Sequence, residues 1–319
     1  MLFTAESVTP YHPDKICDQI SDIFVDYFLT EDPKSRVAVD CLGGHRKIFA
    51  SGEVTSRREF KKEEVIDEIF RQFPHLKDYA INIDLIKQSS EIAQGVDTGG
   101  AGDQGIMVGY ACSANDQMVP QEYYLARKLC MYIWENGLNT DGKTQVTIDE
   151  NGNVEAVVAS FQNISHDKLE KLSKEFIPNA KNYHINPAGD WSVGGFDADT
   201  GVTGRKIAID NYGPQVSIGG GCFSGKDPTK VDRSGAYIAR KIAIDLLKEK
   251  GASNVLVKIA YAIGKPQPVM AVATIDNINE TITNYDLSPK GIIDLLDLQK
   301  PKYLASAKWG SMGMSFTWG

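Results

Sequence analysis

Of the 319 residues only five are cysteine and five are histidine, and neither type is grouped. Cys17, Cys41, Cys112, Cys130 and Cys222 are scattered, odd in number and free of any C-x-x-C. That excludes a disulfide frame and suits reduced thiols in a cytoplasmic protein. His12, His45, His75, His166 and His184 show no zinc spacing. There is no G-x-S-x-G elbow and no Cys/His pair for acyl transfer. No apolar run approaches membrane-spanning length, and the opening MLFTAESVTPYHPDK lacks a signal core. Basic charge is also short, with 34 Lys and Arg against 42 Asp and Glu for a net charge of -8. A nucleic-acid binder would need a basic face, so any anion bound here must meet cations gathered locally. With 42% hydrophobic and 24% charged residues the composition is that of a soluble globular protein, and the length suggests about two domains.

What is present centres on Gly219 to Asp232, GGGCFSGKDPTKVD. Glycines allow close backbone approach to an anion, lysines neutralise phosphate, and carboxylates hold magnesium. The stretch is expected to lie between a strand-like run and a helix over 234–250. Upstream, the prolines around Tyr11-His12 make a stiff turn opening a helix over 14–29. By spacing alone, His12 there is equally well a capping histidine. Strands are expected over 36–42 and 47–55, joined by a GGHR hairpin turn, with Glu53 inside the second. A helix over 60–73 and a strand over 80–87 follow. Between Gly95 and Gly105 five glycines surround Asp97, Asp103 and Gln104, which reads as a loop shaped around a ligand and marks the first domain boundary.

Further on come a strand over 106–112, a helix over 121–136, and an Asp141-Gly142-Lys143 turn entering a strand. A second strand pairs with it across Asn151-Gly152, and a helix over 166–175 follows. Trp191, before a glycine pair, is either core or a surface for a stacked purine. Arg205-Lys206 is expected to enter a strand. Strands over 254–263 and 269–275, a helix over 288–298 and a Gly- and Trp-rich tail end the chain. Paired strands with interspersed helices thus recur three times. This argues for an α+β protein of three related subdomains, expected over 1–97, 98–192 and 193–319.

Gly220 to Lys226 also fits the G-x-x-x-x-G-K of a P-loop. Asp227 stands where that motif needs Ser or Thr for magnesium, and Pro228 follows, where a P-loop helix needs its first N–H groups. A P-loop phosphotransferase and a non-catalytic nucleotide-binding paralogue therefore stand as alternatives.

Taken together, HPDK (12–15), GEVT (52–55), QGVD (94–97), GAGDQG (100–105), TGRK (203–206), GGGCFSGKD (219–227) and KVDRS (230–234) resemble the S-adenosylmethionine synthetases, the methionine adenosyltransferases. The resemblance runs in order from Phe3 to about Trp318. It implies three α/β subdomains around a pseudo-threefold, ATP and methionine as substrates, two magnesium ions, a potassium ion, and a homodimer with its active sites between subunits. A thioether has no proton to lose, so the chemistry needs alignment and a home for an anionic leaving group, and no general base.

The resemblance implies these roles. His12, Lys143, Asp103, Arg205 and Lys226 would be catalytic. Lys15, Asp141, Lys143, Trp191, Asp199, Arg205, Lys206, Cys222 and Lys226 would join His12 around ATP. Glu53, Gln94, Asp103, Asp199 and Lys230 would hold methionine. Asp14 and Asp232 would hold magnesium, and Asp40 potassium. The sequence departs from the family at several points. Asp40 replaces a glutamate, Tyr11 replaces a glycine before His12, and Trp191 replaces a phenylalanine. Cys222 often is alanine, and Asp190 often is basic. Only Thr98-Gly99 separates QGVD from GAGDQG, so the lid is short, and trimmed surface segments are expected to leave dimers that do not pair into tetramers.

Overall fold

The computed structural model describes residues 1–88 and 99–319. Among the described residues, three four-stranded sheets carry the fold. Strand β1 (Leu2–Val8) leads through the His12 turn into helix α1 (Pro13–Glu31). The hairpin β2 (Arg36–Gly44) and β3 (Lys47–Thr55) turns at His45 and Arg46, whose φ values of 49° and 64° are those of the two-residue turns that match strand twist. Helix α2 (Lys62–Gln72) crosses to β4 (Ala80–Ile86), which pairs parallel with β3. The same sequence of elements then repeats: β5 (Gly105–Cys112), α3 (Gln121–Asn136), the hairpin β6 (Gly142–Asp149) and β7 (Val154–Phe161), α4 (His166–Phe176), and β8 (Asn182–Ile185) parallel to β7. A third pass runs β9 (Gly201–Val202), α5 (Ile207–Asp210), α6 (Val231–Lys250), then β10 (Asn254–Tyr261), β11 (Met270–Ile275) and β12 (Ile278–Thr281). Helices α7 (Pro289–Leu296) and α8 (Tyr303–Trp309) close the chain.

The three passes exchange strands in a cycle. β1 pairs with β6, β5 with β10, and β9 with β2. Each pass thus completes the sheet of another, which is the pseudo-threefold expected for this α+β chain. The long helices α1, α3 and α6 each lie against a sheet and bury an apolar face: Ile16, Ile20, Phe24 and Phe28 on α1, Tyr123, Leu129 and Ile133 on α3, and Tyr237, Ile238 and Ile242 on α6.

Several expectations are corrected. No strand follows Arg205-Lys206: residues 207–210 form the single helical turn α5. No strand precedes Gly219 either, since 211–218 is irregular around Gly213 and Pro214, and proline withholds a ladder donor. The long helix begins at Val231, three residues before the expected start. The tail contains α8, whose N-terminus is held by Asp26 of α1. Asp26 accepts from the Lys302, Tyr303 and Leu304 amides at 2.9, 3.0 and 2.9 Å.

Candidate active site

Helix α1 begins the site. His12 is its N-cap: Nδ1 accepts from the Asp14 amide at 3.2 Å, which leaves the proton on Nε2 as a free donor. Proline at the first helical position needs no N–H partner and presets the backbone there. The His12 side chain is 14% exposed. Burial, then the charges of Lys206 and Lys143, push its pKa down to about 4, against the opposing charges of Asp14 and Asp199. The ring is therefore neutral at physiological pH. Tyr11 packs among Phe73, His75 and Trp134, with ring centroids 5.8, 4.8 and 4.9 Å away, so it wedges this turn against an aromatic cluster.

Asp14 gathers the cations around that ring. Lys206 Nζ lies 2.5 Å from Oδ2, Arg205 Nε lies 3.6 Å from Oδ1, and the Val202 amide donates to Oδ1 at 2.9 Å. Burial opposes ionisation of Asp14, but the Lys206 contact and the Val202 amide outweigh it and hold the carboxyl below its usual value. Lys143 projects from β6. Asp141, two residues before it, is buried and accepts from the Gly195 amide at 2.9 Å, tying the 192–200 loop to the sheet. Trp191 donates from Nε1 to Ser160 at 3.1 Å and is half-buried. Asp190 accepts from Asn186 and from the His166 amide at 2.8 and 3.3 Å. Asp199 is exposed.

The assignment of Lys15 to ATP is corrected. Its ammonium is 1% exposed and lies between Asp18 at 3.1 Å and Asp210 at 2.7 Å. Two carboxylates in a buried setting hold it protonated and occupy it, so it fixes α5 to α1.

A second cluster forms where the 219–232 loop runs along β2. The Val39 amide donates to the Gly225 carbonyl at 3.0 Å, and the Asp227 amide to the Val37 carbonyl at 3.1 Å. This stretch continues the β2 edge that β9 covers further along. Lys226 Nζ lies 2.6 Å from Asp232, in the first turn of α6, and Lys230 pairs with the fully buried Asp227. Asp227 also accepts from the Val37 and Thr229 amides at 2.7 and 2.8 Å. It is an internal brace and could not be the magnesium hydroxyl of a P-loop. The glycines have a different reason than the one expected. A Cβ on Gly219 would stand 1.8 Å from the Ile106 carbonyl oxygen, and one on Gly221 2.3 Å from Asp232. They let the loop pack on the protein itself. Cys222 packs against Gly204, and burial pushes its thiol pKa up.

Asp40 and Glu53 lie on neighbouring strands β2 and β3 near Lys226. Burial raises the Asp40 pKa, Lys226 opposes this and Glu53 adds to it. Asp103 is exposed just before β5, with its carboxylate on the next amide at 2.7 Å. Gln94 and the rest of QGVD lie outside the described residues.

The structure also shows what the sequence reading missed. Asp14, Asp18, Asp22 and Asp26 recur every fourth residue on α1 and are all sheltered. Each accepts backbone amides: Val202 for Asp14, Gly204 for Asp18 at 2.8 Å, Gly225 for Asp22 at 2.9 Å, and the α8 N-terminus for Asp26. The four-residue spacing was visible, but burial of that face was not.

Magnesium usually takes one or two carboxylates and completes its shell with water and phosphate. Asp14 and Asp232, isolated carboxylates each beside lysine, fit that use. Among the described residues no group of three or more His, Cys, Asp or Glu forms a protein-only metal cage, and no helix is long and apolar enough to cross a membrane.

Models of the N-terminal, central and C-terminal domains of S-adenosylmethionine synthetase match residues 1–95, 98–191 and 193–319. An S-adenosylmethionine synthase of Pelagibacter ubique is 38% identical, covering 99% of this chain and 95% of its own length. One of Desulforudis audaxviator is 40% identical, covering 98% and 93%. The first alignment spans 372 positions against 319 residues here, so that relative carries segments this chain lacks. A solved structure described as an unusual S-adenosylmethionine synthetase from Campylobacter jejuni superposes with a TM-score of 0.89 at 29% identity, covering 99% of this chain and 96% of that one. The family is generally metal-dependent. The chain belongs to the S-adenosylmethionine synthetase family of methionine adenosyltransferases.

Proposed function

We propose that the two cationic clusters on α1 receive the triphosphate of ATP as methionine displaces it. The observation that carries this reading is the convergence of Arg205 and Lys206 around Asp14 beside a neutral His12, with Lys143 charged near the same ring and Lys226 held along the same helix. In the reaction the methionine sulfur attacks the ribose 5′ carbon. A C–S bond forms, the C–O bond breaks, and its electron pair leaves on the triphosphate oxygen. The sulfur becomes a sulfonium and no proton moves in this step. The triphosphate is then hydrolysed to phosphate and diphosphate.

His12 Nε2–H donates to the phosphate oxygen nearest the breaking bond, and its neutrality keeps that donor directional. Lys143, Arg205, Lys206 and Lys226 face the growing charge. Fixed donors of this kind are typically worth about 2.7–4 kcal/mol each when removed. Asp14 and Asp232 would hold two magnesium ions, whose charge would neutralise phosphate, and Asp40 would take potassium. Trp191 faces adenine. Glu53, Gln94, Asp103, Asp199 and Lys230 bind methionine, with Asp199 also beside ATP.

A homodimer completes the site. Its face is the outward side of the sheets, where Leu42 and Phe49 pair across β2 and β3, and Ile106 and Met270 stand exposed on β5 and β11. Exposed apolar side chains on these sheet faces suit association. Asp40 and Glu53 open on the same side as Leu42 and Phe49, so residues distant within one chain meet across the dimer.

The test is product analysis with ATP, methionine and magnesium. S-adenosylmethionine, phosphate and diphosphate in equal amounts are expected. ADP in their place would overturn the reading in favour of a phosphotransferase.

A further inference from the structure

Asp22 of α1 and Arg233 of α6 form an ion pair that the chemistry above does not use. Their side chains are 0% and 1% exposed. Arg233 donates from Nη1 and Nη2 to the two Asp22 oxygens at 2.7 and 2.6 Å. The pair also grips the main chain on either side of Lys226. Asp22 Oδ1 accepts from the Gly225 amide at 2.9 Å, and Arg233 Nη1 donates to the Lys226 carbonyl at 2.8 Å. Arg233 is fixed in turn: Nε donates to Tyr237 at 3.1 Å, the guanidinium lies 4.3 Å from the Tyr303 ring centre, and Tyr237 stacks on Trp318 at 3.8 Å. Arg233 directly follows Asp232, whose carboxylate meets Lys226.

A buried ion pair is a poor source of stability, since well-packed apolar residues often do as well. What apolar residues could not supply is directional bonding to the two main-chain groups that flank Lys226. One helical turn earlier, about 6 Å along α1, Asp18 takes the Gly204 amide next to Arg205-Lys206 in the same manner. Helix α1 thereby spaces the two cationic loops by its own pitch.

We propose that Asp22 and Arg233 are positioning residues for adenosyl transfer. They touch no substrate, and they hold Lys226 and Asp232 where the triphosphate departs. The proposal rests on the assignment of Lys226 to the triphosphate.

A double-mutant cycle tests it, with Asp22→Asn, Lys226→Ala and the combination. S-adenosylmethionine formation gives kcat and the methionine KM, and circular dichroism reports folding. Asp22→Asn is isosteric and is expected to lower kcat about 100-fold, the scale of a cation displaced by about 1 Å. The methionine KM should stay within about twofold. In the Lys226→Ala background the same change should cost less than about threefold, because the group being positioned is gone. An equal loss in both backgrounds overturns the proposal. If Lys226→Ala alone leaves kcat unchanged, the assignment of Lys226 itself falls, which needs no Asp22 variant to see. Arg233→Lys keeps a charge opposite Asp22 but cannot span both that carboxylate and the Lys226 carbonyl. It repeats the cycle, with the same two outcomes, should Asp22→Asn not fold.

Discussion

Replacing Lys206 by methionine removes a charge at nearly constant volume and reads out the electrostatics of the site through His12. Lys206 Nζ is 2.5 Å from Asp14 Oδ2, and His12 Nδ1 is 4.0 Å from the same oxygen. Laid end to end, these distances put the ammonium at most about 6.5 Å from the ring. At that separation two unit charges repel by about 2.5 kcal/mol in an effective dielectric of 20. Both side chains retain some solvent contact, so the expected effect on His12 is about 1–2 pH units. Lys206→Met should therefore raise His12 from about 4 to about 5–6.

The sign for stability follows. The folded value lies below the unfolded one, so the unfolded chain binds more protons between them. His12's contribution is intact above about 6.5 and is lost as pH falls toward 4, with an amplitude of about 3 kcal/mol. The variant should lose less over the same window. Nitrogen NMR of the His12 ring gives the titration, and urea melts at pH 5 and pH 7 give the stability difference. A ring that still titrates near 4 in Lys206→Met would show that the Lys206 charge does not set the value. A wild-type ring titrating near 6.5 would refute the neutral-donor role.

Three further outcomes are expected. Gly225 has φ +82°, and a Cβ there would stand 2.0 Å from the Val39 carbonyl oxygen, so Gly225→Ala should cost upward of about 1–2 kcal/mol and most of the activity. An unchanged urea midpoint would mean the loop does not lie along β2. Burial pushes Asp26 up to about 6 against three amide donors. Its contribution is therefore present below about 3.9, the unfolded value, and is lost as pH rises through 6. Asp26→Asn should flatten the stability curve between pH 4 and 7, and an unaltered slope in urea melts would contradict this. With only Thr98-Gly99 between QGVD and GAGDQG, S-alkyl analogues of methionine bulkier than methyl are expected to be accepted, and the short chain is expected to stop at a dimer. Strict methionine selectivity in kinetics, or a stable tetramer by light scattering, would count against each in turn.

Most of the elements were legible because their periodicity is strong and their punctuation clear. The helices over 14–29, 121–136 and 166–175 and both early hairpins stand where their apolar spacing puts them. The short pieces β8, β12 and α8 were not legible. β8 forms because β7 offers it an edge, and α8 because Asp26 caps its N-terminus from across the fold. Lys15 shows the same limit within the site. A lysine in HPDK reads as a phosphate ligand until Asp210, far along the chain, is seen beside it.

By itself the sequence determined the chemistry: the set of cations, carboxylates and glycines, their order, and the family they match. It also set the local frame, since Pro13 and the His12 cap start α1 wherever that helix lies. Tertiary structure decided which charges are free and which are spent. Asp14, Asp18, Asp22 and Asp26 form a four-residue stripe that would suit a wet face, and only the packing of α1 beneath the 201–206 and 222–227 loops and the start of α8 makes it a row of anchors. The Gly219 to Asp232 stretch changed meaning for the same reason. Its glycines answer to Ile106 and Asp232, contacts made across more than a hundred residues and within the loop itself. Steric limits of that kind arise from chain segments meeting in space, and no local pattern encodes them.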